Sequence, residues 1–125
     1  MGFAVSLVQD FAAAHWLNNY QGNCKNIHGH TWKVEVVIAG NQLDDVGMLV
    51  DFRDLKKTLV SILEVFDHSL LNEVSPFDTI NPTAENIARH IHQEIAKVYP
   101  AHKIEFVKVW ESPAAWASYN EAPPR

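Results

Sequence analysis

Cysteine is almost absent. Cys24 is the one thiol in 125 residues, so no disulfide can form within the chain and a crosslinked framework is excluded. No apolar run is long enough for a membrane span or a secretion signal, and with so little cysteine the expected setting is a reducing cytoplasm. Basic residues are scarce too: ten Lys and Arg against fifteen Asp and Glu leave a formal charge of -5. With no stripe of Lys or Arg, a nucleic-acid surface is not expected, whereas a small anionic substrate is compatible with that balance. Repeats and low-complexity tracts are missing as well. The opening "MGFAVS" fits the Gly2-plus-Ser6 pattern of N-myristoylation, but "FAVSL" reads as a first strand and lipidation is not expected.

What is present is a high apolar content, 47% of residues, enough to bury the core of one domain of this length; residues 1–125 are expected to form a single domain. The segment from Phe3 to Ala14 is apolar and rich in strand formers, and "HWLNNYQGN" then reads as a loop. From His30, Trp32, Val34, Val36 and Ile38 share one parity and Lys33 and Glu35 the other, the period of a half-buried strand. Across "DFRDLKKTLVSILEVF" the period changes to three and four, with Phe52, Leu55, Leu59, Ile62 and Phe66 on one side. Asp51 is placed to cap that helix, with Asp54 at the capping-box position, and Lys56 and Lys57 read as solvated.

A second helix follows in "TAENIARHIHQEIAKV", with Ala84, Ile87, Ala88, Ile91, Ile95 and Val98 on one side. Thr83 is its expected N-cap, and Asn81 followed by Pro82 is the alternative. "KIEFVKVWE" alternates again, setting Ile104, Phe106, Lys108 and Trp110 against Glu105, Val107, Val109 and Glu111, and "AAWASY" reads as a short last strand. The order β-β-α-α-β-β predicts an α+β fold: a four-stranded antiparallel sheet with two helices packed on one face. So small an open sheet has edges that another subunit can cover.

The chemistry concentrates in "CKNIHGH", residues 24 to 30. Residues i and i+2 of a strand point the same way, so His28 and His30 bring two imidazoles to one point, with Gly29 leaving the gap between them uncrowded. His15, at the end of the preceding strand, is the natural third nitrogen. Three imidazoles with a fourth position open make a catalytic zinc site; a Cys24 thiolate as fourth ligand makes a closed, structural one. The spacing leaves both readings standing. Asp67 and His68 follow the first helix, and a carboxylate beside an imidazole sets its tautomer and makes a proton carrier, although a histidine at a helix end also suits the helix dipole. Glu111 ends an apolar strand, where it can accept hydrogen bonds from an amidine-like ring edge or face solvent. His90, His92 and His102 fall on polar helix or loop positions and are expected at the surface.

Together these segments resemble the family of 6-pyruvoyl-tetrahydropterin and 6-carboxytetrahydropterin synthases. The resemblance rests on "FAAAH" at 11 to 15, "CKNIHGH" at 24 to 30, "GMLVDFRDLK" at 47 to 56, "FDHSLLN" at 66 to 72, "NPTAENIA" at 81 to 88 and "VKVWES" at 107 to 112. It implies the tunnelling fold (T-fold), with subunits joined in trimers that pair into a homohexamer, and a zinc-dependent carbon-oxygen and carbon-carbon lyase. By the same resemblance His15, His28 and His30 look like the Zn2+ ligands and Cys24 like the proton-abstracting thiolate. Asp67 with His68 looks like the second proton-transfer group and Glu111 like the anchor of the pterin ring. The implied substrate is a pterin triphosphate, 7,8-dihydroneopterin triphosphate. The three-residue gap between Cys24 and His28 looks like the bacterial carboxy-forming branch of queuosine biosynthesis, and a cysteine rather than glutamate at position 24 speaks against the folate branch. Glu111-Ser112 departs from the family's usual Glu-Thr but keeps the hydroxyl.

Overall fold

The computed structural model describes residues 2–19 and 26–121. Cys24 therefore lies outside the described residues. Among those described, five strands form one sheet: β1 (Phe3–His15), β2 (His28–Gly40), β3 (Ser69–Leu70), β4 (Lys103–Ser112) and β5 (Ala115–Tyr119), in the order β3-β1-β2-β4-β5. Two helices, α1 (Phe52–Glu64) and α2 (Ala84–Val98), cover one face. The expected four-stranded antiparallel sheet is thus corrected to five strands with a mixed edge, because β3 runs parallel to β1 at Ala13 and Ala14. A two-residue strand has no period to read, which is why "SL" passes for loop in the sequence.

Long, in-register pairing of β1 with β2 sets the frame, running from Phe3 opposite Gly40 to His15 opposite His28. Along β2 the even positions Trp32, Val34, Val36 and Ile38 are completely buried, as their parity predicts. Strand β4 corrects a second expectation. Val37 pairs with Phe106 but Ile38 with Ile104, so Glu105 is bulged out and the parity flips. Ile104, Val107 and Val109 are therefore all buried in the core, while Phe106, Lys108 and Trp110 are turned to the opposite face. The flip puts Glu111 on the core face, the side on which His28 and His30 project.

Helix α1 starts at Asp51, whose carboxylate accepts the Arg53 N–H at 2.8 Å, and buries Leu55, Leu59 and Leu63. Thr83 caps α2 by accepting the Asn86 N–H at 3.1 Å. Phe52 and Val98, expected on the apolar sides, are 54% and 55% exposed; each is a terminal residue of its helix. The histidines expected at the surface are also corrected. His92 is buried, four residues from Ala88 and three from Ile95 on the apolar stripe of α2. His90 meets the rings of Phe66 and Phe77 edge-on, and His102 is half-buried against Tyr99. No described helix is long and apolar enough to cross a membrane.

The cap at Thr83 gives a first test. Thr83→Ala removes one acceptor for an otherwise unpaired helix amide and is expected to cost about 1 kcal/mol, read as a lower urea midpoint at unchanged slope. The adjacent Pro82 carbonyl holds the His15 ring, so the cap also steadies the end of β1.

Candidate metal centre

His15 and His28 are brought together by strand register, as the last residue of β1 and the first of β2. His30 stands one pleat further on. Their Nε2 atoms and a carboxylate oxygen of Glu111 all lie within 4.8 Å of one another. The Nε2 atoms of His15 and His28 are 3.0 Å apart, and Glu111 Oε1 is 3.5, 3.9 and 3.0 Å from His15, His28 and His30.

The tautomers point to a cation. His15 Nδ1–H donates to the Pro82 carbonyl at 2.8 Å, and His28 Nδ1–H donates to the Asn26 carbonyl at 2.7 Å. Both Nε2 atoms then present lone pairs to each other, which is repulsive unless a positive centre lies between them. A tetrahedral ion with bonds of about 2.0–2.1 Å would set two such nitrogens roughly 3.3 Å apart. The buried His30 Nε2 has no hydrogen-bond partner, although Glu111 Oε1 lies 3.0 Å away. Three neutral nitrogens with a carboxylate beside them suit a divalent transition metal, zinc among them. The residues present fit such an ion.

The surrounding residues hold this geometry. Trp32, fully buried, sits under the cluster with its ring edge-on to His15 and His30 at 4.9 and 5.3 Å, and its Nε1–H donates to the Ala13 carbonyl at 3.2 Å. Beyond His15 the chain is clasped twice. The Asn72 side chain exchanges hydrogen bonds with the backbone of Trp16, and the Asn81 side chain with that of Asn18. Trp32, Asn72, Asn81 and Pro82 are positioning residues that the sequence reading does not connect to the site: Trp32 reads as a core strand residue, and Asn81 with Pro82 as an alternative helix cap. Asn72, Asn81 and Pro82 lie inside the quoted segments "FDHSLLN" and "NPTAENIA", the one signal that pointed to them.

Asp67 and His68 stand at the edge of the sheet beside β1. Asp67 accepts the Ala12 N–H at 2.9 Å, the His68 amide donates to the Ala12 carbonyl, and His68 Nδ1 lies 3.1 Å from the Asp67 carboxylate. The Ala12 amide, chiefly, holds the Asp67 carboxyl below its ordinary range, so it stays ionised and orients the imidazole. His68 has φ 58°, a left-handed conformation that turns its side chain out of the chain path. Two cavities meet at His30. One of about 430 Å³ is walled by Ala12, Ala14, Gly29, Thr31 and His68; one of about 470 Å³ is walled by Asp10, Lys33, Trp110, Glu111 and Ser112. A β-carbon at Gly29 would meet nothing within 4 Å, so the two remain open to each other over its backbone. The structure thus gathers His15, His28, His30 and Glu111 at one point and brings His68 to a cavity that reaches His30.

Burial lowers the pKa of His15 and of His30 from 6.5, and of His90 against its aromatic neighbours. The folded chain then binds fewer protons than the unfolded chain once the pH drops below 6.5, so stability present above that value is lost as pH falls through the lowered values. Metal-stripped protein is expected to show a falling urea midpoint from pH 7 towards pH 5. An unchanged midpoint would contradict the burial of these rings.

Layered helices over a sheet whose strand ends carry three imidazoles and a carboxylate define an α+β protein with a metal-capable pocket. The family follows from comparison: the profile of 6-pyruvoyl tetrahydropterin synthase matches residues 4–122, and the chain belongs to that family. It is similar to the 6-carboxy-5,6,7,8-tetrahydropterin synthase of Rickettsia bellii, 35% identical over 126 residues covering 83% of this chain and 90% of the relative. The Haemophilus influenzae protein of the same name is 31% identical, covering 95% and 99%. In structure it is similar to the 6-pyruvoyl tetrahydropterin synthase of Caenorhabditis elegans, with TM-score 0.86 at 28% identity and 96% of each chain covered.

Proposed function

We propose that the protein is a zinc-dependent 6-carboxy-5,6,7,8-tetrahydropterin synthase of queuosine biosynthesis, a cytoplasmic homohexamer acting on 7,8-dihydroneopterin triphosphate. The observation that carries the reading is the convergence of three Nε2 atoms, with His30 bordering a cavity that His68 also lines. His15, His28 and His30 would hold the zinc, which supplies Lewis-acid stabilisation of charge developing on the substrate's side-chain oxygens. Cys24 as thiolate takes the proton from the carbon beside those oxygens. His68, oriented by the ionised Asp67, exchanges a proton on the other side. Glu111 lines the cavity walled by Trp110 and accepts hydrogen bonds from the pterin ring's N–H and amine. Internal redox, loss of triphosphate and cleavage of the two-carbon piece as acetaldehyde follow from that proton traffic, with one water molecule supplying the second carboxylate oxygen. The edges of β3 and β5 support assembly with further subunits.

The names of the two bacterial relatives favour the carboxy product, and the worm structure favours the pyruvoyl product as second reading. Zinc-loaded protein given 7,8-dihydroneopterin triphosphate without reductant is expected to release 6-carboxytetrahydropterin, acetaldehyde and triphosphate, read by mass analysis and an aldehyde assay. Accumulation of 6-pyruvoyltetrahydropterin without acetaldehyde would replace the first reading by the second. No consumption of substrate would leave a zinc-stabilised binding or assembly domain.

A further inference from the structure

His68 borders the cavity that reaches His30, yet its side chain is 83% exposed, so packing does little to aim it. Its direction comes from the backbone and from Asp67. The backbone at His68 is left-handed, with φ 58°, a conformation that a residue with a β-carbon keeps only where its neighbours impose it. Two anchors impose it here. On one side is Ala12, whose N–H donates to the Asp67 carboxylate at 2.9 Å and whose carbonyl accepts the His68 N–H at 2.6 Å. On the other is the Phe66 carbonyl, which accepts the Ser69 hydroxyl at 2.6 Å and the Ser69 N–H at 3.2 Å. Phe66 is itself fixed. It is buried, with its ring against those of Phe11, Phe77 and His90 at 6.5, 5.4 and 5.5 Å.

From this arrangement we propose that Ser69 is a positioning residue: its hydroxyl, bound to the Phe66 carbonyl, locks the left-handed turn that holds the His68 imidazole beside Asp67 and at the cavity. The inference rests on the proton transfer assigned to His68 in the proposed function. Ser69 is well placed for the task, because it also pairs with Ala13 where β3 joins β1, and so ties the turn to the strand that ends at His15. Without the hydroxyl, the Phe66 side of the turn keeps only the longer N–H contact, and His68 is free to relax to an ordinary negative φ. The direction of its Cβ changes with φ. The ring then leaves the Asp67 carboxylate, which lies 3.1 Å from Nδ1, and a displacement of about 1 Å is enough to slow a transfer that depends on placement.

The test compares zinc-loaded wild type with Ser69→Ala, Ser69→Thr, His68→Ala and the double variant of Ser69→Ala with His68→Ala. Nitrogen NMR of the imidazoles reads the geometry without turnover, the His68 signals being those that vanish in His68→Ala. In wild type His68 is expected in one tautomer, with Nδ1–H towards Asp67. In Ser69→Ala its two ring-nitrogen signals should move towards the averaged positions of a free imidazole, while those of His15 and His28 stay in place. In turnover, Ser69→Ala should lower kcat about tenfold with KM within about twofold, and Ser69→Thr, which keeps the hydroxyl, should recover most of it. On the His68→Ala background Ser69→Ala should change kcat no further, since two residues acting as one unit are not additive. Unchanged His68 signals in Ser69→Ala overturn the proposal, and so does an averaged ring already present in wild type. Equal kcat losses on both backgrounds also overturn it, because the hydroxyl would then serve the fold and not His68. If the His68 signals shift as expected but wild type turns over no pterin, the positioning role stands and the proposed reaction fails.

Discussion

Cys24→Ala is expected to lower turnover by about 10²–10⁴-fold, the contribution of a positioned general base, while the protein keeps about one zinc per chain. The two halves of this expectation have separate origins. Zinc is retained because three imidazole nitrogens converge without the thiolate, two of them already fixed in the metal-binding tautomer by the Pro82 and Asn26 carbonyls. Turnover is lost because the proposed base is removed, and His68, held by Asp67, is assigned a separate proton transfer. Metal analysis after dialysis, beside a steady-state assay, reads both. A metal-free, unfolded variant would make Cys24 a structural ligand.

Trp32→Ala should be the most damaging change in the fold, costing roughly 3–5 kcal/mol. The indole is fully buried, stacked on Phe11 at 6.1 Å and edge-on to two of the three histidines. Its loss opens a cavity directly beneath the cluster, so zinc affinity should also drop about 10–100-fold, as it does when groups supporting metal ligands are removed. Trp32→Phe keeps most of the packing and loses the hydrogen bond to Ala13, a cost of about 1 kcal/mol. Urea unfolding and zinc competition on the two variants check this. Wild-type zinc affinity in Trp32→Ala would reduce Trp32 to a core residue with no hold on the site.

Period and capping made much of this fold readable in the sequence. The even positions of β2, the caps at Asp51 and Thr83 and the strand-end place of His15 depend on neighbours a few residues away, and those rules are local. The bulge at Glu105 was not readable, because it arises from how β4 meets β2 more than sixty residues earlier in the chain, and alternation alone predicted the wrong partners for Ile104. Strand β3 was hidden by its length and by dependence on β1 for pairing. His92 shows a different failure: its spacing from Ala88 and Ile95 was visible, but residue type outweighed position. At the site, His15, His28 and His30 could be found from strand geometry. The clasps made by Asn72 and Asn81 reach more than fifty residues along the chain, and only the folded chain reveals them.

X-ray absorption at the zinc edge of the loaded protein tests the central claim, an open three-histidine site, most directly. Three nitrogen scatterers at about 2.0–2.1 Å with an oxygen completing the shell, and no sulfur, are the predicted result. A sulfur scatterer at about 2.3 Å would contradict it, placing Cys24 on the metal and closing the position that catalysis requires.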